Sequence, residues 1–295
     1  MPFLELHLRL RGDQQPAVEA ALEALGSDAI TLMDAEDTPI LEPGIGETPI
    51  WPQVHLAALF QADLDRVDLL AELEPAVPPE VFHSARFAIL DDRDWTRAWM
   101  DHYRPMQFGR RLWIYPWTEQ PPNDPERVVV RLEPGMAFGT GTHPTTALCL
   151  EWLDGVDLQA KTVLDFGCGT GILAIAALKL GARAGWCIDN DPQALLATRE
   201  NAQRNGVAGQ VHVLSDRDPR PAAADVLLAN ILLNPLLALR AQLSAAVRPG
   251  GLAVFSGMLA EQADEFIAAY KAQFSGLTVT RRDDWIRVSG QRVAD

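Results

Sequence analysis

The segment Val163–Leu173, V-L-D-F-G-C-G-T-G-I-L, constrains the fold of this chain more than any other. An apolar run ends in Asp165. Glycines follow at the alternate positions 167, 169 and 171, and a helical pattern starts at Ile172. Strand, glycine turn and helix N-terminus in that order are how an α/β sheet builds a nucleotide-sized pocket. Glycine lets the backbone approach a ligand closely, because no Cβ intervenes. A dinucleotide turn requires G-x-G-x-x-G, and Ile172 stands where its third glycine belongs. A nicotinamide oxidoreductase is therefore disfavoured.

What stands here, D-x-G-x-G-x-G, resembles the first motif of the seven-stranded methyltransferases that use S-adenosyl-L-methionine. That cofactor has no phosphate to place over a helix N-terminus. It has an ammonium group and a ribose diol, which call for carboxylates. Two acids are in register for this. Asp165 ends the first strand, and Asp189 ends the next, A-G-W-C-I-D (184–189), after a helix around 172–180. An acid in the second place can accept hydrogen bonds from both ribose hydroxyls. Asp165, Gly167, Gly169, Gly171 and Asp189 are thus candidate cofactor contacts.

Two further segments are expected at the same pocket. Glu133–Thr146, E-P-G-M-A-F-G-T-G-T-H-P-T-T, is glycine-rich and precedes a helix that Pro144 starts, so it can close over a cofactor. Phe138, Thr145 and Thr146 are its candidate contacts, the threonines through hydroxyls and the free N–H groups of a first turn. Asn230–Leu236, N-I-L-L-N-P-L, ends the fourth strand. Many amine methyltransferases carry an Asn-Pro-Pro-Tyr-like sequence there, whose Asn oxygen accepts from the substrate nitrogen. Asn230 matches the Asn while the rest is absent, so Asn230 is the candidate catalytic residue and a cofactor contact. Helix capping is the alternative, and it suits Asn234 better. Ile231–Leu233 are expected to keep water away. His143 is a candidate base by location, although loop structure explains it as well. Cys168 is either a reactive thiol or a small packing residue.

The 295 residues suffice for two domains. Charge is uneven: positions 1–103 hold 20 Asp and Glu against six Arg and no Lys, whereas the remainder is nearly balanced. That acidity disfavours a nucleic-acid backbone and suits a basic partner or simple solubility. The N-terminus alternates instead of forming a signal-peptide core, no apolar run is long enough for a membrane, and the histidines lack metal spacing. Three cysteines without a pairing motif favour a reducing cytoplasm. Alternation at Phe3–Leu10, a helix from Pro16 to Gly26, strands at 29–33, 54–60 and 85–90 and a helix at 64–73 spell β-α-β-β-α-β, the ferredoxin-like order. A loop is expected over Thr38–Pro52. Asp92–Tyr103 reads as an amphipathic connecting helix with Trp95, Trp99 and Tyr103 on one face. From Arg127 strands at 162–166, 184–189, 211–214, 225–230 and 251–256 alternate with helices, and 277–280 with 285–289 forms a terminal hairpin. The expected α/β architecture is a Rossmann-like catalytic domain (105–295) preceded by a smaller α+β ferredoxin-like domain (1–91) and a connector (92–104).

Taken together, F-G-T-G-T-H-P-T-T, D-F-G-C-G-T-G-I-L-A-I-A-A-L-K-L-G-A, I-D-N-D-P-Q-A, N-I-L-L-N-P-L and the connector's D-W-T-R-A-W-M resemble the PrmA family over almost the whole chain. Members of that family methylate ribosomal protein L11 of the large subunit. The resemblance implies a recognition domain that moves relative to a catalytic one. It also implies methylation of lysine side chains and of the N-terminal amine, with cofactor contacts at Thr146, Gly167, Asp189 and Asn230. A monomer in the cytoplasm, without nucleic acid, membrane or metal, is expected. Two rivals stay open: a methyltransferase for rRNA or a small molecule, and a cofactor-binding module without activity.

Overall fold

The computed structural model describes residues 2–36, 48–90, 104–132, 141–219 and 221–294. The chain divides into two compact units, Met1–Ala98 and Trp99–Asp295. The connecting helix expected over 92–104, except Arg104, lies outside the described residues. So do most of the Thr38–Pro52 loop and the first eight positions of Glu133–Thr146, Phe138 among them.

The first unit runs β1 (Phe3–Arg11), α1 (Gln15–Ala24), β2 (Ala29–Asp34), β3 (Gln53–Gln61), α2 (Arg66–Leu73), α3 (Pro79–His83) and β4 (Arg86–Leu90). The strands form an antiparallel sheet in the order β2-β3-β1-β4. Alternation in β1 decides which face is covered. Leu4, Leu6, Leu8 and Leu10 are buried with Val18 and Leu22 of α1 and Leu69 and Leu73 of α2. Helix α2 starts at Arg66 because Asp65 caps it, accepting from the N–H groups of Val67 and Asp68. The opposite sheet face carries a polar chain: Glu5 lies 3.0 Å from His7 Nε2, and His7 Nδ1 lies 3.1 Å from His55 Nε2.

The second unit opens with a three-stranded sheet that the sequence pattern does not announce: β5 (Met106–Phe108), β6 (Leu112–Tyr115) and β7 (Val128–Arg131). Its strands are three or four residues long, too short for alternation to be distinctive. The main element series follows: α4 (Pro144–Gly155), β8 (Thr162–Phe166), α5 (Ile172–Lys179), β9 (Ala184–Asp189), α6 (Pro192–Arg204), β10 (Val211–Ser215), β11 (Ala224–Asn230), α7 (Leu233–Ala238), α8 (Arg240–Ala245), β12 (Val247–Leu259), α9 (Ala263–Tyr270), β13 (Phe274–Arg282) and β14 (Trp285–Arg292). The strands form a mixed sheet in the order β10-β9-β8-β11-β12-β14-β13. The first five are parallel, and the terminal hairpin adds antiparallel to β12. Apolar cores lie on both faces, one built with α4 and α5, the other with α7, α8 and α9. Strand order reverses between β8 and β11, which is where open α/β sheets leave a crevice for ligands.

Strand β12 is longer than the 251–256 run expected from sequence and bulges between Ser256 and Met258. Gly257 in the bulge has φ +88°. A Cβ there would stand 2.5 Å from the carbonyl oxygen of Ile231. The bulge therefore admits the backbone that leaves β11.

Side chains tie the small sheet to the large unit. Asp154 at the end of α4 is buried and accepts from the backbone N–H groups of Arg110 (2.6 Å) and Arg111 (3.3 Å). Asn205, which follows α6, pairs with Arg131 as a neighbouring strand would: its Oδ1 accepts from Arg131 N–H at 2.7 Å and its Nδ2 donates to Arg131 C=O at 2.8 Å. Asn205→Ala leaves both backbone groups of Arg131 without these partners, so we expect a loss of about 2–3 kcal/mol in unfolding free energy. Urea denaturation measures it, and an unchanged midpoint would show that the pairing contributes nothing.

Candidate active site

The glycine turn sits at the carboxyl end of β8. Gly167, Gly169 and Gly171 all have positive φ, between +54° and +76°. Each does something different. A Cβ at 167 would fall 2.3 Å from Ile231 Cγ2, so the turn and the segment after β11 meet only because position 167 has no side chain. Gly169 donates its N–H to Asp189 Oδ2 at 2.9 Å. Gly171 is the N-cap of α5 and abuts Thr198 of α6. The turn is fastened from behind: Thr198 donates to Gly169 C=O (2.9 Å) and Asn201 donates to Thr170 C=O (3.0 Å).

The two strand-end acids occupy opposite environments. Asp165 is only 1 % exposed. Its Oδ2 accepts from Ala174 N–H at 3.1 Å, supplying the cap that a glycine N-cap cannot, while its Oδ1 is buried without a partner. Burial pushes its carboxyl up to about 8; the Ala174 N–H pulls the other way and the charge of Asp189 adds to the rise. Asp189 is half-buried at the end of β9. Oδ2 holds Gly169, and Oδ1 accepts from Asp191 N–H at 3.0 Å. Each of its oxygens has one such N–H and retains a lone pair for a further donor.

Asn230 closes β11. Its Nδ2 donates to Thr146 Oγ1 at 3.2 Å, and its Oδ1 is buried without a partner. Thr145 and Thr146, both 1 % exposed, lie in the first turn of α4. The Thr145 hydroxyl is 2.7 Å from His143 Nδ1, which also accepts from Thr145 N–H at 3.3 Å. His143 is therefore the N-cap of α4, with its ring edge-on to Trp285 at 4.7 Å. Burial holds its pKa below the usual imidazole value. With Nδ1 accepting, the neutral ring carries its proton on Nε2, so His143 is a cap rather than a poised base. Cys168 is buried with Ala174 and Cys187 as packing, and no thiol lines the cleft.

A cleft of about 400 Å³ runs beside the turn, a volume suited to a small organic ligand. Phe166, Gly167 and Asp189 line it from the strand ends, and Ile231 and Pro235 line it from the segment after β11. Asp216, in the turn after β10, also lines it. Asp216 was legible as a third strand-end acid after Asp165 and Asp189. The role of Ile231 differs by residue from the expectation for Ile231–Leu233: Ile231 is half-buried, Leu233 is core, and Leu232 is 45 % exposed. Among the described residues no cluster of acids, histidines or cysteines could hold a metal, and no helix is long and apolar enough to cross a membrane.

These residues fit S-adenosylmethionine. A buried carboxylate oxygen and a buried amide oxygen lack partners, as an ammonium-bearing ligand requires, and the Asp189 carboxylate keeps acceptor capacity for a diol. Asp165 also dictates a pH dependence. The folded, ligand-free chain keeps a proton that the unfolded chain releases near its ordinary 3.8. The resulting stability is full below that value and disappears as pH rises through about 8. The melting temperature of the ligand-free protein is thus expected to fall from about pH 5 to pH 9, and Asp165→Asn to remove most of the fall. An equally steep fall in the Asn variant would mean that another group is responsible. Gly257→Ala forces a Cβ against Ile231 at a positive φ. It should lower stability by about 2 kcal/mol or more and weaken cofactor binding in calorimetry. Wild-type affinity and stability would contradict the role given to the bulge.

Comparison with known proteins agrees with this geometry. Residues 2–293 match the family described as "Ribosomal protein L11 methyltransferase (PrmA)". Proteins of that name from Pseudomonas putida (strain W619) and Pseudomonas aeruginosa (strain LESB58) are each 52 % identical. The former aligns over 99 % of this chain and 100 % of its own length, the latter over 100 % of both. A crystal structure of ribosomal protein L11 methylase from Lactobacillus delbrueckii subsp. bulgaricus superposes with a TM-score of 0.59 at 32 % identity, covering 65 % of this chain and all of that one.

Proposed function

The chain belongs to the ribosomal protein L11 methyltransferase (PrmA) family, and on that ground we propose that it transfers methyl groups from S-adenosylmethionine to lysine side chains and the N-terminal amine of ribosomal protein L11. The observation that carries the amine specificity is the partnerless Oδ1 of Asn230 beside a glycine turn. S-adenosylmethionine supplies, when bound, an electrophilic methyl on a sulfonium. The protein's share is to place a neutral amine in line with that methyl, and positioning of this kind is a large part of catalysis. Asp165 would hold the ammonium of the methionine moiety through its free oxygen. Asp189 would hold the ribose diol, and Phe166 and Ile231 would flank the apolar part of the ligand. Thr146 and Asn230 would bound the methyl-bearing end.

Lysine has an ordinary pKa near 10.4, so the amine must lose a proton before it reacts. Asn230 is suited to this because a neutral amide oxygen orients an amine N–H without stabilising the ammonium form as a carboxylate does. Half-buried Ile231 limits water, which also favours the neutral amine. His143 donates nothing to this step, being occupied as a cap.

The first unit is the substrate-recognition part in this reading. Its strand order and one-sided helix packing support a ferredoxin-like unit ending near residue 91, joined through 92–104 to the catalytic unit 105–295. Its acidity suits a basic ribosomal protein. The same acidity speaks against nucleic acid as the direct substrate, and we place the enzyme in the cytoplasm as a monomer.

Methyl-labelled cofactor and L11 from cells lacking this enzyme, followed by peptide mass spectrometry, test the reading: label on lysines and the N-terminal amine is expected, and label on rRNA alone would overturn it. Asn230→Ala should lower the single-turnover transfer rate by roughly 10²-fold with saturating cofactor, about 2.7 kcal/mol on the barrier. Transfer at the wild-type rate would reduce Asn230 to a structural role. Affinity for L11 should fall steeply as salt rises from about 50 to 500 mM, since opposite charges at the interface are screened; a salt-independent affinity would remove the acidic unit from recognition.

A further inference from the structure

We propose that Thr146 is a positioning residue that sets the orientation of the Asn230 amide, and through it the placement of the acceptor amine; the inference rests on the reading of Asn230 as the acceptor contact. An amide at the end of a strand can rotate about its last side-chain bond, presenting either an oxygen or an NH₂ to a given point. A substrate amine that brings N–H donors is served by the oxygen and repelled by the NH₂. Something must therefore choose. In the structure Nδ2 donates to Thr146 Oγ1 at 3.2 Å, and Oδ1, on the other side of the amide, is buried and without a partner.

Thr146 is a good fixture for this. It is buried in the first turn of α4, a helix anchored at its start by the His143 cap and Pro144. Its neighbour Thr145 is fastened separately: its hydroxyl meets His143 Nδ1, and its carbonyl accepts from Ser256 Oγ at 3.4 Å. The two threonines thus divide the work, 145 holding the turn and 146 holding the amide.

Thr146→Val keeps the shape and removes the hydroxyl; Thr146→Ser keeps the hydroxyl. With saturating cofactor, Thr146→Val should slow single-turnover methyl transfer about tenfold, as loss of one neutral hydrogen bond in the transition state would. Cofactor affinity should change far less, and Thr146→Ser should recover most of the rate. In an Asn230→Ala background Thr146→Val should add nothing further, because it acts only through the amide. Melting temperatures check that each variant is folded, and Thr146→Ala replaces the valine if that variant is not. A wild-type rate for Thr146→Val, a loss confined to cofactor affinity, no recovery by serine, or additivity with Asn230→Ala would each overturn the inference. A wild-type rate for Asn230→Ala alone would instead overturn the acceptor reading beneath it.

Discussion

Ile231 occupies space that side chains at 167 and 257 would otherwise take. Its Cγ2 lies 2.3 Å from where a Cβ of residue 167 would stand, and its carbonyl oxygen lies 2.5 Å from where a Cβ of residue 257 would stand. Three consecutive strand ends, those of β8, β11 and β12, can therefore converge more closely than side-chain-bearing residues would allow. Everything at the candidate site follows from that convergence. It sets Gly167 against Ile231, and Asn230, the residue before Ile231, reaches Thr146 in the first turn of α4. It also explains why β12 bulges at Gly257 instead of continuing its ladder.

Asp165 and Asp189 show how environment separates two identical side chains. Both lie at the carboxyl ends of parallel strands, within one residue of the last, and both touch the glycine turn or the helix after it. One is buried, with its carboxyl pushed up to about 8 and one oxygen idle; the other is half-buried and holds two backbone N–H groups. The buried acid favours its protonated form in the absence of a nearby cation, whereas the second holds backbone N–H groups and still has lone pairs to offer.

Much of this was legible in the sequence because glycine and terminal acids are local signals. Strands β8 and β9 coincide with the spans read at 162–166 and 184–189, with Asp165 one residue before the end of the first and Asp189 the last of the second. Asn230 is likewise the last residue of β11. Less was legible where the determinant is a distant partner. Nothing near Gly257 announces that Ile231 passes beside it, and β12 outruns the 251–256 run because Val247 pairs with β11 and Met258 and Leu259 pair with β14. Thr145 and Thr146 read alike in sequence, yet one answers to His143 and the other to Asn230. The sheet β5-β6-β7 is not legible in the sequence, because its strands are short and the side chains that hold its backbone, Asp154 and Asn205, lie far along the chain.

The side chain of Asn205 has one more effect. An outer strand with free N–H and C=O groups invites pairing with any extended peptide, including another copy of the chain. At Arg131 both groups are already taken by an amide that imitates a strand but has no continuation. Arg131's own guanidinium stacks on Trp117 at 4.6 Å and donates to the carbonyls of Pro116 and Trp117. The ladder is thus terminated at that residue, and a chain emerging from the ribosome beside its own copies has one fewer place at which to join them.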